Sequence, residues 1–247
     1  MKRILLVEFI LLGSATTAGA QFPPDSLVNL EFFDKDIPVR ELIGHMRGFS
    51  IGLGVRCQYC HVGEDDQPLS EFDFTSDEKR TKRTARVMLQ MVAMINDNHL
   101  PDIPDRIVPH TEVSCATCHR GLSRPRTLET VLAETLESDG LEATIAHYRE
   151  LRDEYYGSGS YDFGELVLMS WAQVLARSGQ TDEAIAILEL DAEMFPESGN
   201  VRFMVGEVFR LVDDTVQAKV HYDRAIELQP RIQRQVDRAL GLMRAGG

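Results

Sequence analysis

Cysteine occurs four times in this chain, and all four fall in two copies of one pattern, Cys57-Gln58-Tyr59-Cys60-His61 and Cys115-Ala116-Thr117-Cys118-His119. Cys-x-x-Cys-His is the attachment signature of c-type haem. On a helical segment, residues three apart lie on neighbouring turns of one face. Two sulfurs so placed reach the two vinyl groups along one porphyrin edge, and the histidine that follows lies beneath the iron as its proximal ligand. The pattern predicts two covalently bound c-type haems, attached through Cys57, Cys60, Cys115 and Cys118, with His61 and His119 as iron ligands. With no cysteine left over, a disulfide framework is excluded. Two other readings of the cysteine pairs are a shared zinc site and a redox dithiol beside a βαβ unit. Zinc needs no histidine directly after both second cysteines, and no βαβ pattern surrounds either motif.

The 247 residues, 43% hydrophobic and 26% charged, are ordinary globular material, long enough for one large or two modest domains. A formal net charge of −13 argues against a nucleic-acid or anionic-membrane partner and permits steering toward a basic one. Residues 1–20 read as a secretory signal: Lys2 and Arg3, an apolar run from Ile4 to Leu12 interrupted by Glu8, and the small residues Ala18-Gly19-Ala20. The run is shorter than the ~20 apolar residues of a spanning helix. An uncleaved N-terminal anchor is the other reading, which leaves membrane association open, and no cysteine follows the small residues to carry a lipid. The expected location is periplasmic or otherwise exported, the side of the bacterial membrane on which haem is attached.

Beyond Pro23-Pro24, Pro38 is expected in the first turn of a helix through Val39, Leu42, Ile43, Met46 and Phe49, with Leu42, Met46 and Phe49 on one face. Gly48, Gly52 and Gly54 then allow a turn before Cys57. Met46, between the signal and the first motif, is the candidate distal ligand of the first iron, because a soft thioether suits haem iron and raises its potential relative to imidazole. His45 is its rival, but adjacent helical residues point ~100° apart and His45 leaves that face. Residues 63–73 form an acidic loop. Thr75 with Glu78 makes a capping box, Ser76 being the alternative cap, for a helix over 77–98 with Ala85, Met88, Met91, Val92 and Ile95 on its apolar face. Met91 is the first choice for the second distal ligand, with Met88 and Met94 as alternatives. His99 and His110 are further rivals, assigned to solvent or to haem propionates. Arg120, Arg124 and Arg126 either pair with propionates or form a basic linker.

The order of the Met46 helix, Leu53-Gly54-Val55-Arg56-Cys57-Gln58-Tyr59-Cys60-His61, the stretch from Lys82 to Asn96, and Cys115-Ala116-Thr117-Cys118-His119-Arg120-Gly121 resembles the cytochrome subunit of photosynthetic reaction centres, over about residues 26–126. That family's repeat of helix, turn and haem-bearing helix, with an upstream methionine as distal ligand, implies the roles given to Met46 and Met91. The reaction-centre subunit carries four haems and is typically lipid-anchored. This chain has two motifs, no lipidation cysteine and a different C-terminal half, so a photosynthetic partner does not follow. The closer likeness is to the two-haem branch of exported cytochromes in non-photosynthetic bacteria, some of which carry helical repeats.

Such repeats are visible here. Residues 128–156 read as two helices split at Asp139-Gly140, and from Tyr161 a period of about 34 residues relates Ala184 to Ala218 and Pro196 to Pro230, in a tetratricopeptide-like pattern. Trp171 falls at a packing position. Two repeats are fewer than such a stack needs, so neighbouring helices are expected to cap it. The concave face of the stack is read either as a docking surface for a protein partner or as a buttress.

The expected fold is all-α: a signal peptide (1–20), a dihaem c-type cytochrome domain of helix-turn-haem-helix units (21–127), a helical connector (128–160) and tetratricopeptide-like repeats (161–247). The expected function is single-electron transfer between redox protein partners, a donor and an acceptor, with the repeats holding one of them. The alternatives are a dihaem enzyme such as a peroxidase, which needs one open iron position, and a redox or gas sensor, which lacks an output domain here.

Overall fold

The computed structural model describes residues 22–24 and 27–245; the secretory-signal reading of residues 1–20 lies outside them. The chain divides between Ser123 and Arg124 into two compact units. Among the described residues the regular structure is helical, with a single isolated antiparallel bridge between Val62 and Asp73.

In the first unit, α1 spans Val39–Leu53. Pro38 stands just before it, and its carbonyl accepts from the Glu41 and Leu42 amides at 2.9 and 3.1 Å. The helix stops because Gly54 adopts the left-handed conformation (φ 65°), with Gly54 N–H bonding Ile51 O and Val55 N–H bonding Ser50 O. This is the Schellman arrangement that glycine makes accessible. A single 3₁₀ turn, Cys57–Tyr59, carries the first motif, and a second 3₁₀ turn follows at Leu69–Glu71.

Helix α2 spans Arg80–Met94 and continues as a π turn over Ile95–His99. Its start is later than the capping box at Thr75 predicts. The reason is local competition: the Asp73 carboxylate accepts from Thr75 N–H, Thr75 Oγ1 and Ser76 N–H at 2.8–2.9 Å, so Thr75 is spent in a turn and Lys79 stands at the helix boundary. An irregular connection then leads to α3, Cys115–His119, which carries the second motif.

The second unit is a succession of antiparallel hairpins: α4 (Leu128–Tyr155), α5 (Glu165–Arg177), α6 (Thr181–Met194), α7 (Gly199–Leu211), α8 (Thr215–Leu228) and α9 (Gln233–Ala245). Helix α4 is broken at Gly140 (φ 83°), where the sequence places a split. Helices α5 and α7 begin 34 residues apart, at Glu165 and Gly199, and α6 and α8 likewise, at Thr181 and Thr215. The packing explains the small residues: a Cβ on Gly206 would lie 2.7 Å from the Tyr222 ring, and Ala184, Ala218 and Ala225 are fully buried. Trp171 is buried in one cluster with Ala184.

Burial is distributed unevenly. Both apolar clusters lie in the second unit, around Leu132, Ile187, Leu188, Val201 and Val205 and around Tyr222, Ala225 and Val236. Among the described residues of the first unit only Leu42, Phe72 and Leu122 are buried apolar side chains, while Ile51, Tyr59, Val87, Met91 and Met94 are exposed.

Candidate functional site

Each Cys-x-x-Cys-His segment is fixed by backbone contacts from elsewhere in the first unit. At the first motif, Lys79 Nζ donates to Gln58 O and Thr81 Oγ1 donates to Tyr59 O, so the start of α2 grips the 3₁₀ turn between its cysteines. Within the turn, Cys60 N–H and His61 N–H return to Cys57 O at 3.2 and 2.9 Å. At the second motif, the Asn96 carboxamide makes both possible hydrogen bonds with Val113: Nδ2 donates to Val113 O and Oδ1 accepts from Val113 N–H, each at 2.8 Å. Ser114 N–H donates to Thr117 Oγ1 at 3.0 Å and opens α3. Helix α1 packs against α3 through bare backbone. Gly121 N–H donates to Gly52 O at 2.9 Å, and a Cβ on Gly52 would stand 3.1 Å from Ala116 N and 3.3 Å from Cys115 Cβ.

All four cysteine thiols are free; Cys57, Cys60 and Cys115 are half-buried and Cys118 is exposed. Burial pushes the Cys60 and Cys115 thiols up, opposed at Cys60 by the Thr81 hydroxyl and Lys79. The histidines differ. His119 Nδ1 lies 2.8 Å from Leu122 O, which fixes that nitrogen as the N–H donor and leaves Nε2 with its lone pair for a metal. His61 Nδ1 is buried with no hydrogen-bond partner, and its ring meets Phe74 edge-on at 4.9 Å. Burial first, then Lys82, Lys79 and Arg86, lowers the His61 pKa to about 4 and keeps the ring neutral, the form that ligates metal.

Met46 is half-buried on α1 and Met88 half-buried on α2, whereas Met91 and Met94 are 44% and 53% exposed. His45 is exposed, stacked on Phe33 at 4.9 Å and 3.9 Å from Glu41. His99 ends the π turn and His110 lies in the connection before α3; both are exposed. Arg126 pairs with Glu134 within the second unit, and Arg120 and Arg124 are exposed.

Three positioning residues have no motif to announce them. Lys82 is buried, its ammonium held by the carbonyls of Phe74, Thr75 and Ser76 at 2.8–3.3 Å and by Asp77 at 3.0 Å. Asp77 also receives Arg86 and Asn29, each at 2.9 Å, and these donors hold its carboxyl well below the usual carboxylate range. Asn96 bonds a partner 17 residues away. No sequence pattern announces them: Asp77 precedes α2, Lys82 has the look of a solvated helix residue, and the partner of Asn96 lies far along the chain.

The residues fit a c-type haem. The donor set of each motif is two free thiols and an imidazole, the Nδ1 of His119 is oriented by a carbonyl, and the exposed Ile51, Tyr59, Val87, Met91 and Met94 offer a porphyrin apolar surface in a unit with few buried side chains of its own. Among the described residues no three His, Cys, Asp or Glu side chains gather around a common point, as a shared zinc site between the two motifs needs. Nor is there a βαβ unit for a redox dithiol among them.

Residues 54–166 match the family model described as the photosynthetic reaction centre cytochrome C subunit. Over 86 residues the chain is 36% identical to cytochrome c-554 of Chloroflexus aurantiacus. These matches support the reaction-centre cytochrome-like family. The alignment covers 35% of this chain and spans 18% of the length of that cytochrome. No solved structure matches. No helix among the described residues is long and apolar enough to cross a membrane.

Proposed function

We propose that the chain is an exported dihaem c-type cytochrome that carries single electrons between protein partners. Two Cys-x-x-Cys-His segments, each anchored by its own set of backbone hydrogen bonds in one small unit, are the observation that supports this reading most. Cys57 with Cys60, and Cys115 with Cys118, would form the thioether attachments, and His61 and His119 would ligate the irons. Met46 would supply a further ligand at the first site and Met91 at the second, with Met88 and Met94 as alternatives at the second. When bound, haem supplies a reversible one-electron couple.

The chain's own residues keep that couple rigid and closed. Leu122 O orients His119, and the Lys79 and Thr81 contacts hold the turn beneath His61, so a change of charge at either site moves little protein. The likeness to cytochromes favours an electron carrier over an enzyme. The C-terminal hairpins, with their 34-residue spacing, are read as tetratricopeptide-like repeats that dock a basic redox partner, in keeping with the net charge of −13. Carbon monoxide binding to the dithionite-reduced protein tests the carrier reading against the dihaem peroxidase. Two closed irons leave the reduced spectrum unchanged under carbon monoxide; a shifted Soret band from one haem reveals an open position and overturns the carrier reading.

A further inference from the structure

We propose that the chain holds its two haem sites at different reduction potentials, the His61 site higher and the His119 site lower, so that an electron delivered to the second motif comes to rest at the first. The inference rests on the dihaem reading above and concerns what surrounds each proximal histidine.

Two features of the His61 environment favour reduced iron. The first is its Nδ1, buried and without an acceptor. A proximal imidazole gains electron-donating strength when its other N–H is drawn toward a carbonyl, as His119 Nδ1 is toward Leu122 O at 2.8 Å. Stronger donation stabilises the oxidised iron. His119 has that assistance, whereas His61 has the edge of Phe74 beside it. The second feature is charge. Lys82, Lys79 and Arg86 each act on the His61 ring more strongly than the carboxylate of Asp73 does.

These cations are held in place. Lys82 is 9% exposed and tied to three carbonyls and, at 3.0 Å, to Asp77; Lys79 is tied to Gln58 O, and Arg86 pairs with Glu31 at 2.7 Å and Asp77 at 2.9 Å. Reduced iron carries one positive charge fewer than oxidised iron, so fixed cations in a poorly solvated site raise the potential. Next to the second motif the neighbouring cation, Arg120, is exposed, where water and salt screen it.

Both features order the sites the same way. Lys82 and Lys79 are positioning residues for this purpose: they set a potential without touching the iron. The experiment is a potentiometric titration of the exported holoprotein followed by haem absorption, beside Lys79→Gln, Lys82→Met and Lys82→Arg. The parent is expected to show two separate one-electron waves. Lys79→Gln and Lys82→Met lower the upper wave and leave the lower in place, and Lys82→Arg restores it. Should Lys82→Met loosen the 73–77 turn it braces, Lys79→Gln, whose lysine makes one backbone hydrogen bond, decides the matter. Two covalent haems by pyridine haemochrome with coincident waves, or with the lower wave moving instead, overturn the inference and leave the dihaem reading standing. A haem count other than two overturns that reading itself.

Discussion

Gly54 is the position at which a single methyl group should do most damage to the first unit. It ends α1 at φ 65°, and a Cβ built there would lie 2.0 Å from Gly121 O and 2.9 Å from Gly121 C. A carbon and a carbonyl oxygen need a separation of about 3.3 Å. Gly54→Ala must therefore push the backbone at Gly121 away by more than about 1 Å, which breaks the hydrogen bond from Gly121 N–H to Gly52 O. The left-handed conformation costs an alanine about 1–2 kcal/mol, the lost hydrogen bond about 1 kcal/mol, and the forced separation about 1–3 kcal/mol. The sum is a loss of about 3–6 kcal/mol. Gly44 is the control: it lies within α1, where an added methyl would meet nothing inside 4 Å, so Gly44→Ala should stabilise by about 1 kcal/mol. Urea unfolding of the holoprotein, followed by Soret absorption to report the first unit, measures both. A Gly54→Ala protein within about 1 kcal/mol of the parent would refute the close approach of α1 to the segment after α3.

Two further outcomes follow from buried polar groups. Asp191 on α6 is fully buried, neither carboxylate oxygen has a hydrogen-bond partner, and burial with the nearby Glu165 raises its pKa to about 7. Because the folded value lies above the unfolded one, its contribution to stability is fully present below about pH 4 and is lost as pH rises toward 7, at about 1.4 kcal/mol per pH unit. Asp191→Asn should therefore gain on the parent across that window and hold a constant lead of up to about 4 kcal/mol above it; urea unfolding from pH 4 to 8 followed by far-ultraviolet circular dichroism checks this, and a lead independent of pH would refute it. Asn96→Leu removes both hydrogen bonds to Val113 at a cost of about 2 kcal/mol. Hydrogen exchange at the Val113 amide should quicken by about thirtyfold, with tenfold for each 1.4 kcal/mol.

The features that a sequence shows are those whose cause is local. Gly54 after α1 and the break at Gly140 are set by the backbone of the residue itself and stand where their residue type predicts, while Pro38 falls at the cap of α1, one position outside the first turn. The 34-residue spacing of α5 with α7 and α6 with α8 is legible for a related reason: small residues recur wherever helices approach closely. The cysteine motifs are legible because covalent attachment fixes both residue type and spacing.

What was hidden depends on partners distant in sequence. Gly54 announces a turn, but its neighbour Gly121 is visible only in the fold. Thr75 carries the pattern of a helix cap, yet Asp73 takes its hydroxyl. Lys82 looks like a solvated helix residue and is buried under three carbonyls, and Asn96 gives no sign of Val113. Met91 lies mid-stripe on the sequence and is more exposed on α2 than Met88, a difference that the spacing of the two methionines does not show.

The most direct measurement is the intact mass of the protein exported by a host able to attach c-type haem, beside the double variants Cys57→Ser/Cys60→Ser and Cys115→Ser/Cys118→Ser. The account predicts two haems added to the parent and one to each variant. A parent mass without covalent haem, or with one haem that a single pair of cysteines accounts for, contradicts it.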